Sequence, residues 1–157
     1  MKRLFLLLLL FTRCSDPNQS VREKELDDSS YIIFGHFYGF CQGETCIETY
    51  KLTNESLLED TKDNYSFDPE LAHFVLLDDN LFERVKGLRE NIPTKLLTIE
   101  ETTIGQPDAG DWGGLYFEIV TPERRQYWMI DKMRSNLPDF LIPFANEIEN
   151  AINIIHQ

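Results

Sequence analysis

The segment at residues 106–114 is the part of this chain whose residue types come closest to a binding site. It reads QPDAGDWGG, and its three glycines, proline and two aspartates are typical of a compact irregular loop. Asp108 and Asp111 could offer oxygens to calcium, but two carboxylates are few for such a site and their spacing is not that of an EF-hand. Because aspartates also cap turns without any ligand, we expect a structural turn and no cofactor. Trp112 is either a loop aromatic that contacts a partner or a residue that closes one end of the core, and we expect the second.

The amino terminus carries the pattern of an export signal. Residues 1–3 (MKR) are followed by eight apolar residues at 4–11. That run is far shorter than the ~20 residues of a membrane-spanning helix, and a basic start before a short apolar run is typical of a secretory signal. Cys14 follows closely and is succeeded by polar residues. This arrangement resembles a bacterial lipoprotein signal, especially of the Bacteroidota type, although Arg13 stands where a small residue is usual. The resemblance implies acylation of Cys14 and, because Ser15 follows it, placement in the outer membrane.

Cys41 and Cys46 are the two cysteines that remain if Cys14 is lipidated. They flank Gly43 in a segment that reads as the turn of a β-hairpin, and an exported protein favours a disulfide between them. Closing so short a loop stabilises the fold by about 2 kcal/mol. Free thiols, redox chemistry and a zinc site are the alternatives, but redox motifs usually have two residues between the cysteines. Zinc would need two more ligands from the three histidines of the chain, which are His36, His73 and His156.

Motifs of catalysis are missing from the sequence. There is no Gly-x-Ser-x-Gly, no His-Glu-x-x-His and no phosphate-binding glycine loop. Aspartate and glutamate are so abundant that sequence spacing cannot single out a catalytic pair. His36 is expected to be a core or edge histidine of the first strand and not a general base. We therefore predict no catalytic residue, and we expect a non-enzymatic function.

The charge of the chain excludes two classes of partner. With 27 acidic and 15 basic residues among 157, the formal net charge is −12. Such a protein is poorly suited to replace the counterions of a nucleic acid or to adsorb to anionic lipid heads. Removal of residues 1–13, the predicted signal peptide, takes away three basic residues and leaves a mature charge of −15. Residues 14–30 are predicted to be the lipidated cysteine and a flexible acidic tether, and residues 31–157 a single domain.

The elements of that domain follow from hydrophobic periodicity. Strand patterns occupy residues 31–38, 47–53, 56–60, 115–120 and 127–131. Residues 71–77 fit a strand or a short helix, and we expect a strand. A further apolar stretch at 96–99 could be a short strand. A helix is predicted at 81–88, and a long amphipathic helix opens near Pro138. The apolar stripe of the long helix comprises Leu141, Phe144, Ala145, Ile148, Ile152 and Ile155. The predicted fold class is α+β: an antiparallel sheet of four to six strands with the carboxy-terminal helix packed on one face.

The domain resembles a group of small uncharacterised bacterial lipoproteins. The resemblance covers residues 31–157 and rests on the aromatic strand that leads into the cysteine hairpin, the Asp111-Trp112-Gly-Gly loop before a strand, the strand end at 128–131 and the closing helix after Leu137-Pro138. The group brings no established activity, so no catalytic residue is carried over.

These observations predict a lipid-anchored cell-envelope protein, held at the outer membrane by its lipid. Its function is expected to be non-enzymatic binding of an envelope protein through the loops near Cys41–Cys46 and Trp112. A small protease-inhibitor-like module that uses the disulfide hairpin is the first alternative. A hydrolase that uses aspartate or histidine in a cleft is the second.

Overall fold

The structure is a computed structural model that describes residues 29–63, 65, 67–68 and 70–157. The predicted signal peptide, the lipidation site at Cys14 and almost all of the predicted tether lie outside the described residues.

A seven-stranded sheet organises the described domain. Its spatial order is β4-β3-β2-β1-β6-β7-β5, and every neighbouring pair is antiparallel except the short parallel pair of β5 and β7. The strands are β1 (Tyr31–Phe37), β2 (Ile47–Leu52), β3 (Leu57–Asp60), β4 (Phe74–Leu76), β5 (Thr103–Ile104), β6 (Gly114–Val120) and β7 (Arg125–Asp131). The predicted α+β class is confirmed. The seventh strand, β5, has only two residues, which is too short to leave a periodic pattern in the sequence.

Two helices lie against one face of the sheet. The first, α1 (Asp79–Val85), is capped by the Asp78 side chain, which accepts a hydrogen bond from the backbone of Asn80 at 2.8 Å. It continues as a 3₁₀ turn at Lys86–Arg89. The second, α2 (Ile142–Ile155), begins after a turn that starts at Pro138, and Pro143 lies in its first turn. The predicted packing of this carboxy-terminal helix on the sheet is confirmed.

The main core lies between the sheet and α2. Alternate residues of β1 and β6 point toward the helix, as period-two geometry requires, and the Phe117 ring meets the Phe144 ring edge-on at 4.9 Å between centroids. Trp128 of β7 is fully buried beside Phe117. The predicted stripe of α2 therefore faces this core.

The opposite face of the sheet carries a smaller second core. Ile33, Phe37, Ile47 and Tyr116 are buried there, and the Phe67 ring stacks on Tyr116 at 4.1 Å between centroids. No helix lies on this face among the described residues. Part of the segment between β3 and β4 covers it, which explains why β1 is apolar on both of its faces.

The prediction of a strand at residues 96–99 is wrong. Leu96–Thr98 is a single 3₁₀ turn, because the Leu96 and Ile99 amides donate to carbonyls only three residues earlier. The turn buries Leu96 in the main core, and the Ile99 carbonyl accepts a hydrogen bond from the Trp128 indole at 3.3 Å.

Candidate functional site

Two loops meet at the end of β1 where Phe37 lies, which we call the distal end because it is opposite Tyr31. Phe37 pairs with Ile47 of β2 on one side and with Gly114 of β6 on the other. The loop at residues 38–46 and the loop at residues 105–113 therefore emerge side by side. Their positions follow from strand register, which sequence alone does not supply.

Asp108 joins these two loops. One carboxylate oxygen, Oδ2, accepts a hydrogen bond from the Gly39 amide at 2.9 Å, and the other, Oδ1, accepts one from the Gly113 amide at 3.0 Å. A charged acceptor makes such bonds stronger than neutral ones. Asp108, expected as a possible calcium ligand or turn residue, is thus the residue that fixes the loop geometry. Among the described residues, no group of three or more histidine, cysteine, aspartate or glutamate side chains could hold a metal ion.

The backbone of the second loop is left-handed at five of its positions, the first of which is Gly105 with a φ angle of 79°. The other φ angles are 62° at Asp108, 69° at Gly110, 63° at Asp111 and 75° at Gly113. Glycine adopts such angles freely, and aspartate tolerates them better than most residues. At Gly113 a side chain would also collide with the Tyr38 ring, because an added Cβ would lie 2.5 Å from it.

Trp112 is displayed on the surface by this loop. Its side chain is 69% exposed, so the prediction that Trp112 closes one end of the core is wrong. The core position belongs to Trp128 instead. The Trp112 ring lies beside Gly110, where a Cβ added to the glycine would be 3.3 Å from the Trp112 Cδ1 atom.

A surface cavity of about 480 Å³ lies against Trp112, and we call it the aromatic cavity. It draws on four separate parts of the chain: the loop after β1, the loop before β6, the segment after β7, and α2. Its lining residues are Tyr38, Asp111, Trp112, Lys132, Met133 and Glu149. Only Asp111 and Trp112 were expected from the sequence.

The charged groups of the aromatic cavity are arranged around Tyr38 and Glu149. The Lys132 ammonium donates a hydrogen bond to the Tyr38 hydroxyl at 2.6 Å and lies 4.6 Å from the Tyr38 ring centroid. Its Nζ is also 4.0 Å from a Glu149 carboxylate oxygen, and the Arg134 guanidinium pairs with the same carboxylate. The Asp111 carboxylate, in contrast, has no described hydrogen bond or ion pair.

The Asp131 side chain is hydrogen-bonded to two of the segments that surround the cavity. Its Oδ2 accepts hydrogen bonds from the Gln106 amide at 2.8 Å and from the Asn136 side chain at 2.7 Å, while Oδ1 accepts one from the Met133 amide at 2.7 Å. Burial alone would raise the pKa of Asp131, but these hydrogen bonds and the positive charge of Arg134 outweigh it and hold that pKa below its ordinary value. The carboxylate therefore stays charged and ties the start of the Trp112 loop to the segment that carries Met133.

The loop after β1 is closed by the predicted disulfide. Cys41 and Cys46 are bonded, with Cα atoms 5.5 Å apart, and Cys46 is buried while Cys41 is exposed. The backbone of Tyr38 donates to the Cys46 carbonyl at 2.8 Å, so the loop is joined to the sheet at its base. Phe40, directly before Cys41, is 87% exposed.

His36 belongs to a polar cluster on the helix face of the sheet. Glu48 lies opposite His36 in the register, and its Oε2 is 3.7 Å from the His36 Nε2 and 2.5 Å from the His156 Nε2 at the end of α2. Tyr50 shares a hydrogen bond with His156 at 2.9 Å. Burial lowers the pKa of His36 and raises that of Tyr50, so the Tyr50 phenol is not activated as a nucleophile. The cluster fastens the carboxy terminus of α2 to β2.

The carboxyl group with a raised pKa lies on the other face of the sheet. Glu118 is fully buried, accepts a hydrogen bond from the Tyr116 hydroxyl at 2.8 Å and pairs with Arg125. Burial raises the pKa of Glu118, and the hydrogen bonds from Arg125 and Tyr116 oppose that effect. His73 bonds instead to Thr61 at 2.9 Å. The contacts described for His36 and His73 therefore do not include Glu118.

No family model matches this sequence, and no curated protein matches it either. Within the described residues, none of the helices combines the length and apolar character needed to cross a membrane.

Proposed function

We propose that the protein is a lipid-anchored envelope protein that binds a partner protein through its distal end. The observation that carries this proposal is the exposed Trp112, held on the surface by a left-handed loop at the edge of a cavity. Exposed tryptophan beside a pocket is typical of residues that dominate binding energy. Residues in unfavourable backbone conformations also cluster at ligand-binding sites.

The apolar residues around the cavity support the same proposal. Phe40 is 87% exposed, Trp112 69% and Met133 50%, and we call these three side chains the distal apolar residues. Aromatic residues and methionine are enriched in protein interfaces relative to the rest of the surface. Their loops are fixed by the disulfide, by Asp108 and by Asp131, so little conformational entropy would be lost when a partner binds.

The chain topology suits an anchor at Cys14. The predicted tether joins the domain at Tyr31, whereas the loops with the distal apolar residues leave from the other end of β1. A seven-residue strand spans about 20 Å. An anchored domain would therefore carry its contact surface on the side away from the tether.

A protease-inhibitor-like module is the second candidate, and Phe40 favours it. Phe40 is the most exposed of the large hydrophobic side chains described, and it directly precedes Cys41 of the disulfide. In this case Phe40 alone would enter a cleft of the target enzyme. The two candidates differ in what they require of Trp112: Phe40→Ala should abolish binding in both, but Trp112→Ala should weaken it only if the whole distal end is the interface.

Site-specific photo-crosslinking tests the proposed interface. The full chain is produced in its own cells with a photoreactive amino acid at position 112, 40 or 76. Leu76 is the matched control, because it is a 62% exposed hydrophobic residue on the edge strand β4. We expect one discrete crosslinked product from positions 112 and 40 and none from position 76. Equal products from all three positions, or none from 112, would contradict the proposal.

Lipidation is tested separately at Cys14. Metabolic labelling with an alkyne fatty acid should label the chain, and Cys14→Ala should remove the label and release the protein from the membrane fraction. Cys41→Ala is the control, because loss of a different cysteine should leave labelling intact. A labelled Cys14→Ala variant would refute the anchor.

A further inference from the structure

We propose that the aromatic cavity binds a basic side chain, lysine or arginine, of the partner protein. This inference rests on the proposed function and names the chemistry of its partner. The cavity is lined by two aromatic rings, Tyr38 and Trp112, and by two carboxylates. Glu149 already pairs with cations of the chain, whereas Asp111 has no described ion pair. Aromatic faces and carboxylates together form the usual environment for an ammonium or guanidinium group.

The Tyr38 half of the cavity already holds such a cation. The Lys132 ammonium lies against the Tyr38 ring, donates to its hydroxyl and approaches Glu149. The combination of ring face and carboxylate is therefore an ammonium site in the free protein, filled from within the chain.

The side of the cavity near Trp112 has the same two components, an aromatic ring and a carboxylate, and no contact between the Trp112 ring and a cation is seen among the described residues. Trp112 and Asp111 are adjacent in the loop and line the same cavity, yet neither the indole N–H nor the Asp111 carboxylate has a described partner. Tryptophan is the aromatic residue that attracts cations most strongly. Because Lys132 and Arg134 both approach Glu149, Asp111 is the carboxylate that remains for an incoming positive charge.

The charge of the domain favours the same occupant. Residues 29–157 carry 22 acidic and 10 basic side chains. A field of this sign attracts basic segments of a partner and speeds their association, and salt weakens the effect. An acidic peptide would meet repulsion from the same surface.

Host–guest peptides test the inference directly. The full chain, purified in detergent, is titrated with blocked pentapeptides that have lysine, arginine, norleucine or glutamate between two pairs of glycines. The nuclear magnetic resonance signals of the two tryptophan indoles report binding. Trp112 should shift, whereas Trp128 is buried, bonded to the Ile99 carbonyl, and should not.

Lysine and arginine peptides should shift the Trp112 signal saturably, and norleucine and glutamate peptides should not. Trp112→Leu should weaken lysine-peptide binding about five- to thirty-fold, read from another cavity signal such as the Met133 methyl. Asp111→Asn should weaken it, whereas Glu123→Gln, which removes the same charge from the turn between β6 and β7, should have little effect. The inference is overturned if the norleucine peptide binds as well as the lysine peptide or if the glutamate peptide binds more tightly. It is also overturned if maltotriose shifts the Trp112 signal and the lysine peptide does not.

The outcomes separate this inference from the proposed function. If position 112 crosslinks to a partner but no basic peptide binds, the cation site is refuted and the interface stands. If basic peptides bind but position 112 gives no crosslink, the proposed interface is refuted and the cation site stands.

Discussion

Replacement of Asp131 by asparagine tests whether one carboxylate positions both sides of the aromatic cavity. The wild-type carboxylate accepts three hydrogen bonds, from Gln106, Met133 and Asn136, with donor–acceptor distances of 2.7–2.8 Å. Asparagine keeps one oxygen but places an NH₂ group, which is a donor, where the second oxygen was. In the variant at least one of the three donors therefore faces another donor.

The expected loss of stability follows from those bonds. A hydrogen bond to a charged group contributes about 1.5–3 kcal/mol, and a buried donor left without a partner adds a desolvation cost. We expect Asp131→Asn to lower the free energy of unfolding by about 2–4 kcal/mol, measured by urea denaturation with circular dichroism. Asp139→Asn is the matched control, because Asp139 is exposed and should change that free energy by no more than about 0.5 kcal/mol.

The pH dependence gives an independent check on the same carboxylate. Because the pKa of folded Asp131 lies below its ordinary value of 3.8, ionised Asp131 stabilises the fold above that value. This contribution is lost as the pH falls through the lower pKa of the folded state. The asparagine side chain has no proton to gain, so the difference between wild type and Asp131→Asn should be complete at about pH 6 and should shrink below about pH 4.

Two results would refute this reasoning about Asp131. The first is a stability loss no larger than that of the Asp139→Asn control. The second is a difference from wild type that stays constant across the acid range. If the reasoning holds, the Trp112 indole signal should also broaden in Asp131→Asn, because the loop that begins at Gln106 has lost one of its attachments.

Three further predictions concern the sheet and the hairpin. Arg125→Met should destabilise the fold by about 3–5 kcal/mol, measured by urea denaturation, because it leaves Glu118 buried without its cation. Adding Glu118→Gln should restore much of that loss in the double variant. A double variant as unstable as Arg125→Met alone would contradict the pairing. Cys41→Ser should cost about 2 kcal/mol by the same measurement, while wild type under reducing conditions should match it. Gly35→Ala should lower the melting temperature strongly, because the added Cβ would lie 2.0 Å from the Glu48 carbonyl oxygen. At Gly87 an added Cβ meets open space, so Gly87→Ala should be neutral or stabilising. Similar melting temperatures for the two alanine variants would refute the predicted clash at Gly35.

The parts of the fold that depend on local patterns could be predicted from sequence. The alternation in β6 places Leu115 and Phe117 toward the helix, and the stripe of α2 marks the face that meets them. The disulfide followed from the cysteine count and a predicted turn. These features depend on residues that are neighbours along one strand or one helix, so a single sequence contains the signal.

The candidate site depended on long-range register and could be predicted only in part. The Trp112 loop was visible as an unusual composition, but its partners Tyr38, Lys132 and Glu149 come from three other segments of the chain. The two tryptophans also show why Trp112 was misassigned. Trp128 alternates with Ile130 on a strand and enters the core, whereas Trp112 stands between positions of left-handed backbone that turn it outward.

The pair formed by the buried Glu118 and the exposed Arg125 is likewise not predicted from the sequence. Glu118 alternates with the apolar residues of its strand, and this pattern predicts a side chain that faces solvent. On the second face of the sheet the Phe67 ring, from the segment between β3 and β4, stacks on Tyr116, and the Phe67 carbonyl accepts a hydrogen bond from Arg125. Nothing in the polar composition of that segment indicates where it packs.

The pairing of β1 with β6 bears on how the domain would carry a mechanical load. The two strands are antiparallel over seven residue pairs, from Tyr31–Val120 to Phe37–Gly114. Tension applied between an anchor at the start of β1 and a partner held at the start of β6 would pull the strands lengthwise past each other. All of the hydrogen bonds between them would then share the force together, in shear, instead of opening one after another. In the proposed arrangement of anchor and partner, the domain would therefore resist unfolding under tension.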